Sequence, residues 1–187
     1  MLFLASKSPR RRELLKMLEI PFEILEAYIE VDEVYPESMQ ADEVPVYLSQ
    51  LKAQAYKCLL KKDDILLTAD TVVILDNRII GKPKSENEAC AMLSDLSGKT
   101  HTVVTGVTLT SIEKTESFSV HSRVTFAPLS REEINYYVST FHPLDKAGAY
   151  GIQEWIGAAG VERIDGSFYN VMGLPVHRLY RALKNFN

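Results

Sequence analysis

Cysteine is scarce in this chain of 187 residues, where Cys58 and Cys90 are the whole complement. Two cysteines are too few for a disulfide framework, and neither stands in the CxxC or Cys/His spacing of a metal site. We therefore expect a reducing, cytoplasmic compartment. The chain also lacks an apolar run of the ~20 residues that a membrane-spanning helix needs. Its N-terminus starts apolar and turns basic at once, the reverse of the order in a signal peptide, so we expect a soluble protein.

An excess of basic residues is missing as well. The formal net charge is −4 and the sequence pI is about 5.6, which does not favour binding to nucleic acid. With 46% hydrophobic and 25% charged residues, the composition is that of an ordinary globular protein. The length predicts one domain spanning residues 1–187, or two tightly joined lobes.

Hydrophobic patterning alternates between strand and helix and predicts a mixed α/β fold. Strands are predicted at residues 2–5, 65–75, 78–80, 101–110 and 117–127, with a tight turn at Asp76-Asn77. Helices are predicted from Pro9, over residues 42–61, from Ser85 to Gly98, from Ser130 to about Ser139, and from Pro175. Ser85 with Glu88 and Ser130 with Glu133 have the spacing of capping boxes. The glycine-rich segment 147–173 is predicted to be mostly loop.

The first candidate site is the segment Ser6-Lys7-Ser8-Pro9-Arg10-Arg11-Arg12, where a strand passes into a helix. The N-terminus of a helix carries a partial positive charge, so three arginines in its first turn have the wrong sign for stability. A bound phosphate would resolve that conflict, because backbone N–H groups, hydroxyls and guanidiniums all bind it. The alternative is that the three guanidiniums are solvated or paired with acidic side chains elsewhere.

The second candidate is Asp70, in the middle of an apolar strand. A carboxylate there costs several kcal/mol unless it is paired, hydrogen-bonded or bound to a metal. Such a group could serve as a general base or as a ligand of a divalent cation. The alternative is a buried aspartate whose oxygens accept hydrogen bonds from backbone N–H groups.

The third candidate is the segment Gly81-Lys82-Pro83-Lys84, directly after the returning strand. If the turn at Asp76-Asn77 pairs the two strands, Lys82 lies on a strand beside that of Asp70, and the two charges face one pocket. The alternative is an exposed basic loop. Gly98-Lys99-Thr100 resembles the end of a P-loop, but Leu93 stands where the first glycine belongs, so that interpretation fails.

Several separated motifs, taken together, resemble the Maf family of nucleoside triphosphate pyrophosphatases over essentially the full chain. They are LASKSPRRRELL at 4–15, Glu33 in a VDE segment, Leu51-Lys52-Ala53, TADTVV at 68–73, GKP at 81–83, LSGKTHTVVTGV at 96–107, DKAGAYGIQ at 145–153 and NVMGLP at 170–175. The resemblance implies a two-lobed α/β fold with a long twisted mixed sheet flanked by helices, akin to inosine triphosphate pyrophosphatases. It also implies hydrolysis between the α and β phosphates, a substrate cleft between the lobes, and a homodimer.

The resemblance carries roles onto individual residues. Asp70 matches the proton acceptor, and Glu33 with Asp70 matches positions near a divalent metal, Mg²⁺ or Mn²⁺. The positions expected to bind the substrate phosphates are Ser8, Arg10, Arg11, Lys52 and Lys82. The positions expected to set specificity are Arg12, Thr71 and Gln153.

Thr71 and Gln153 match the branch that acts on dTTP and UTP, and a glutamine amide can both donate to and accept from a pyrimidine edge. Two alternatives stay open. One is the same chemistry on another base, such as 7-methyl-GTP. The other is a nucleotide-sensing regulator of septum formation in which hydrolysis is slow or incidental.

Overall fold

The structure is a computed structural model that describes residues 1–25, 29 and 31–186. Within those residues, the strands are β1 (Leu2–Leu4), β2 (Phe22–Ile24), β3 (Ile65–Leu75), β4 (Arg78–Ile80), β5 (Thr100–Thr110), β6 (Thr115–Phe126) and β7 (Val161–Asp165). The α-helices are α1 (Pro9–Lys16), α2 (Val44–Tyr56), α3 (Glu86–Leu96), α4 (Arg131–Phe141), α5 (Trp155–Gly160), α6 (Phe168–Met172) and α7 (Val176–Phe186). Short 3₁₀ turns lie at Lys57–Leu59, Pro143–Asp145 and Ala147–Ala149.

The described strands form one seven-stranded mixed sheet in the order β2-β1-β3-β5-β6-β7, with β4 paired to β3. Strand β1 runs parallel to both β2 and β3. The pairs β3/β4 and β6/β7 are antiparallel. An α/β fold with a mixed sheet flanked by helices is therefore confirmed.

Two compact units make up the chain. The first consists of Met1–Thr71, Thr105–Val120 and Gly173–Asn187, and the second of Val72–Val104 and His121–Met172. In the second unit, helices α3 and α4 pack apolar side chains into one core that includes Leu93, Val138 and Ile156. In the first unit, leucines of β1, α1 and β3 are fully buried.

Local signals placed several elements correctly. Ser8 caps α1, because its side chain accepts a hydrogen bond from Arg11 N, and Pro9 begins the helix. The turn at Asp76-Asn77 has φ values of 51° and 62°, the left-handed conformation that a two-residue hairpin requires. The capping box of Ser130 and Glu133 is confirmed in both directions.

Two predictions for helices were only partly correct, one in the length of the helix and one in its capping. The helix predicted over 42–61 is α-helical only over Val44–Tyr56, and its C-terminal turn tightens into the 3₁₀ turn. At Ser85 only half of a capping box forms, because Glu88 Oε2 accepts from Lys84 N and not from Ser85 N.

The segment 147–173, predicted to be mostly loop, contains α5, β7 and α6. Its glycines serve close packing: a Cβ on Gly157 would lie 1.8 Å from Ile152 O, so this glycine lets the backbone of α5 approach its neighbour. The pattern also gave no indication of the short strand β2.

None of the helices in the described part of the chain has the length and apolar character needed to cross a bilayer.

Candidate active site

Asp70 lies in the middle of β3, directly after a run of four buried residues. The preceding residues, Thr68 and Ala69, are 0% and 1% exposed. The Asp70 side chain is 14% exposed to solvent. A carboxylate at this place requires a positive or hydrogen-bonding partner.

Lys52 of α2 supplies that partner. Its Nζ lies 2.6 Å from Asp70 Oδ1 and 2.8 Å from Oε1 of Glu33. One ammonium therefore joins two carboxylates, a group with one net negative charge. The Lys52 side chain is 18% exposed and that of Glu33 is 54% exposed, so the cluster is open to solvent on the glutamate side.

The position of Lys52 depends on how closely α2 packs on the sheet. A Cβ on Gly106 of β5 would lie 2.2 Å from the carbonyl carbon of Pro45, so only glycine permits this approach. Buried hydroxyls then fix the helix laterally: Thr68 Oγ1 donates to Ser49 O at 2.7 Å, and Ser49 Oγ lies 2.7 Å from Thr108 Oγ1. These contacts place the middle of α2 over Asp70.

The arginine cluster occupies the first turn of α1, which contains no acidic side chain. Ser8 is half-buried, and its backbone N–H donates to Ser6 Oγ at 3.2 Å. Arg12 is exposed and donates from Nη2 to Ser6 O at 3.5 Å, while Arg10 is half-buried and also interacts with other groups. The local arrangement that a phosphate-binding helix N-terminus needs is present, and phosphate binding itself stays a prediction.

Arg11 differs from the other two arginines, because its guanidinium is directed into the protein. Nη1 donates to Ala69 O at 2.8 Å, Nη2 donates to Thr71 Oγ1 at 3.0 Å, and Nε donates to Gly173 O at 2.9 Å. Burial lowers the pKa of the Arg11 guanidinium, an effect that the nearby carboxylate of Asp70 opposes. Arginine stays charged through such a shift.

The hydroxyl of Thr71 is held by protein groups. Besides the bond from Arg11, its Oγ1 lies 3.0 Å from Thr105 Oγ1 and 3.5 Å from Gly173 O. Gly173 has a φ of +120°, which L side chains rarely adopt, so the carbonyl that meets Arg11 and Thr71 depends on glycine.

Lys82 belongs to the second unit. The predicted hairpin is confirmed, with Val73 opposite Ile80, but β4 ends at Ile80. Lys82 therefore lies exposed in the loop after the strand and not on the strand itself, since Pro83 has no N–H to continue the ladder.

Gln153 is also in the second unit, where it is exposed beside a buried ion pair. Lys146 Nζ lies 3.1 Å from Glu154 Oε1, and its side chain is only 10% exposed. The Tyr137 hydroxyl donates to Glu154 Oε2 and accepts from Gly151 N at 3.0 Å. Burial and the bond to Glu154 raise the pKa of the Tyr137 phenol. These contacts fix the chain on both sides of Gln153.

The structure thus brings one subset of the predicted residues into direct contact within the first unit. That subset is Asp70, Glu33 and Lys52, together with Arg11 and Thr71 on the neighbouring backbone. Sequence reasoning missed the residues that hold these groups in place. They are Gly106, Thr105 and Gly173 in the first unit, and Tyr137, Lys146 and Glu154 in the second. Four of them, Thr105, Gly106, Lys146 and Gly173, lie in the motifs quoted above, but no local pattern indicates their partners.

The described residues contain no group of three or more His, Cys, Asp or Glu side chains arranged to hold a metal ion. Glu33 and Asp70 nevertheless converge on one cation, Lys52. Mg²⁺ is commonly held by one or two carboxylates together with substrate phosphates and water, so this donor set fits such an ion. Both cysteines are free.

Comparisons with known proteins place the whole chain in one family. A family model described as Maf-like protein matches residues 1–186. A dTTP/UTP pyrophosphatase of Porphyromonas gingivalis strain W83 is 54% identical over 185 residues, which are 98% of this chain and 92% of that protein. One of Phocaeicola vulgatus strain ATCC 8482 is 52% identical over 183 residues, 98% of this chain and 94% of that protein. The solved structure of the Staphylococcus aureus Ham1 protein covers 100% of this chain and 99% of its own, with a TM-score of 0.54 at 17% identity, a likeness of fold.

Proposed function

The chain belongs to the Maf family, and we propose that it hydrolyses nucleoside triphosphates to nucleoside monophosphate and pyrophosphate, with dTTP and UTP as preferred substrates. One structural observation supports this proposal above the others: the carboxylate of Asp70, on a buried strand, is held 2.6 Å from the ammonium of Lys52. A protein that only binds nucleotides needs the cation but has no use for the carboxylate.

Asp70 is proposed to take the proton from the attacking water. The water oxygen forms a bond to phosphorus, the link between the α and β phosphates breaks, and its electron pair leaves with pyrophosphate. A well-placed base contributes about 10²- to 10⁴-fold in rate. The contact with Lys52 supports this role, because it holds the carboxylate in a fixed place on the buried strand.

The positive side chains are proposed to bind the phosphates. Lys52 lies beside Asp70, and Ser8 and Arg10 stand in the first turn of α1, where backbone N–H groups are also available. Lys82 is proposed to bind the same phosphates from the loop after β4. A triphosphate carries about four negative charges, so several cations are required to offset them.

A divalent metal, Mg²⁺ or Mn²⁺, is proposed as the cofactor, with Glu33 and Asp70 as the protein ligands. When bound, the metal neutralises phosphate charge and orients the phosphates. The contacts of both carboxylates with the single Lys52 ammonium support this pairing, since they bring the two groups to one place.

Gln153 is proposed to read the base, and Thr71 and Arg12 to contribute to specificity. The exposed Gln153 side chain has an amide that can pair with the carbonyl and imide groups of a pyrimidine. The variant Gln153→Glu should therefore lose activity on dTTP and UTP more than on 7-methyl-GTP, whereas Gln40→Glu, at another exposed glutamine, should leave the ratio unchanged.

Pyrophosphate release from a panel of triphosphates tests the function. The panel is dTTP, UTP, CTP, GTP and 7-methyl-GTP, each with Mg²⁺, with Mn²⁺ and with EDTA. We expect metal-dependent release that is fastest from dTTP and UTP. Fastest release from another triphosphate would support the same reaction with a preference for a different nucleobase. Tight nucleotide binding without release from any of the five would favour the regulator of septum formation.

A homodimer and a cytoplasmic location are proposed from the family alone. Light scattering on the purified protein measures the first directly, since a dimer has twice the chain mass of 21.1 kDa.

A further inference from the structure

The guanidinium of Arg11 contacts the residues on both sides of Asp70. Its Nη1 donates to the carbonyl of Ala69 and its Nη2 to the hydroxyl of Thr71. The Ala69 carbonyl belongs to the peptide that joins Ala69 to Asp70, so the first bond fixes the plane of that peptide. The second bond fixes the residue that follows. Arg11 thereby contacts the backbone before Asp70 and the side chain of the residue after it.

A third bond keeps the guanidinium from turning. Nε donates to Gly173 O at 2.9 Å, and the same carbonyl lies 3.5 Å from Thr71 Oγ1. Because the guanidinium is planar and rigid, three acceptors in three directions define its orientation. Rotation of the Arg11 side chain would break all three bonds together.

Lys52 and Arg11 approach β3 from opposite faces. Successive side chains of a strand point to opposite faces of the sheet, so Thr71 is directed away from the face of Asp70. Lys52 contacts the Asp70 carboxylate on one face, and Arg11 contacts the Thr71 hydroxyl on the other. The strand is thus contacted from both sides at Asp70, the residue that carries the proposed proton acceptor.

We propose that Arg11 is a positioning residue for Asp70, and that the Thr71 hydroxyl, besides its proposed part in specificity, helps to hold the Arg11 guanidinium in place. For catalysis, the proposal rests on the function proposed above. It assigns to Arg11 a role other than phosphate binding, because three of the five guanidinium N–H groups already donate to protein acceptors. It also explains why the residue is an arginine. Lysine carries the same charge, but its single ammonium nitrogen cannot donate to three separate acceptors in fixed directions.

The kinetic test uses five variants: Arg11→Lys, Thr71→Val, their double variant, Thr71→Ser and Arg10→Lys. Each is first melted to show that it is folded. We expect Arg11→Lys to lower kcat about 100-fold with little change in KM, and Thr71→Val to lower kcat on the preferred triphosphate about 10-fold. The double variant should be no worse than Arg11→Lys, because both changes break one unit. Thr71→Ser should restore kcat, and Arg10→Lys should act on KM.

Opposite results would overturn the proposal. If Arg11→Lys raises KM and leaves kcat unchanged, Arg11 binds substrate. If Thr71→Val leaves kcat on the preferred triphosphate unchanged, the Thr71 hydroxyl has no part in positioning. If the double variant shows the product of the two single losses, the residues act separately.

A measurement without substrate separates this proposal from the proposed function. The ¹³Cγ signal of Asp70, identified by its loss in Asp70→Asn, reports the surroundings of the carboxylate in protein labelled at aspartate. We expect Arg11→Lys and Thr71→Val to shift or broaden it, and Thr71→Ser and Arg10→Lys to leave it in place. An unmoved signal in Arg11→Lys overturns the positioning role even if the wild type is active. A moved signal with no hydrolysis by the wild type supports the positioning role and contradicts the function.

Discussion

Lys52 and Asp70 are 18 residues apart in sequence, and the ammonium nitrogen of one lies 2.6 Å from Oδ1 of the other. The same ammonium contacts Glu33, so one cation of α2 contacts two carboxylates. This relationship depends on α2 packing against β5 at Gly106 and on buried hydroxyls beneath the helix. The first two predictions follow from it.

Replacing Lys52 with glutamine should lower kcat/KM for the preferred triphosphate by about 100-fold, because the phosphates lose a cation at the reacting group. The measurement is pyrophosphate release under saturating metal. Lys62→Gln, at an exposed lysine of the loop that follows α2, is the matched control and should retain full activity. Retention of more than half the wild-type kcat/KM in Lys52→Gln would contradict the role of this lysine.

Replacing Gly106 with alanine should destabilise the protein by about 3 kcal/mol, because the new Cβ would meet the backbone of Pro45 at 2.2 Å and Val46 N at 2.3 Å. Denaturant unfolding measures the change. Gly81→Ala is the control, since no heavy atom lies within 4 Å of a Cβ there. Equal stabilities for the two variants would show that α2 does not need this close approach.

The stability of the protein should fall as the pH drops from about 6.5 towards 4, in part because of His101. Burial lowers the pKa of this imidazole to about 4, and its Nε2 lies 2.6 Å from the Tyr150 hydroxyl. The unfolded chain, with a pKa near 6.5, takes up the proton first, so acid favours unfolding. Between pH 7 and pH 5, His101 alone should remove about 2 kcal/mol.

Unfolding free energies at pH 7 and pH 5 measure this effect. In His101→Gln, the decrease in unfolding free energy from pH 7 to pH 5 should be about 2 kcal/mol smaller than in the wild type, whatever the absolute stability of the variant. In His177→Gln, at an exposed histidine, the loss should match that of the wild type. An unchanged loss in His101→Gln would mean that another group accounts for the acid sensitivity.

Replacing Lys146 with methionine should destabilise the protein by about 3 kcal/mol, because Glu154 loses the cation 3.1 Å from its Oε1 in a largely buried place. Thermal or denaturant unfolding provides the value. Lys84→Met, at an exposed lysine, should change stability by less than about 0.5 kcal/mol. A Lys146→Met protein as stable as Lys84→Met would show that the ion pair contributes nothing net.

The elements nearest Asp70 could be predicted because their signals are local. A β-branched apolar run gave β3, an Asp-Asn pair gave the turn to β4, and Ser8-Pro9 gave the start of α1. The strands β2 and β7 are short and form by pairing with strands remote in sequence, so no periodic pattern indicates them.

The contacts within the site could not be predicted for the same physical reason. The acceptors of Arg11 lie 58, 60 and 162 residues away in sequence, and only the folded chain brings them to one guanidinium. Three arginines at a helix N-terminus conflict with the helix dipole, and the sequence left open whether they bind a phosphate or are solvated or paired. In the structure, the guanidinium of Arg11 donates to two acceptors on the strand that carries Asp70.

The most direct test of the account compares pyrophosphate release by the wild type, Asp70→Asn and Asp95→Asn, the last at an exposed aspartate of α3. The three proteins are assayed on dTTP and UTP with Mg²⁺ or Mn²⁺, and their melting curves are recorded. We expect Asp70→Asn to melt as a folded protein and to lose activity by at least about 100-fold, while Asp95→Asn matches the wild type. Wild-type activity in a folded Asp70→Asn protein would show that this carboxylate is not the base.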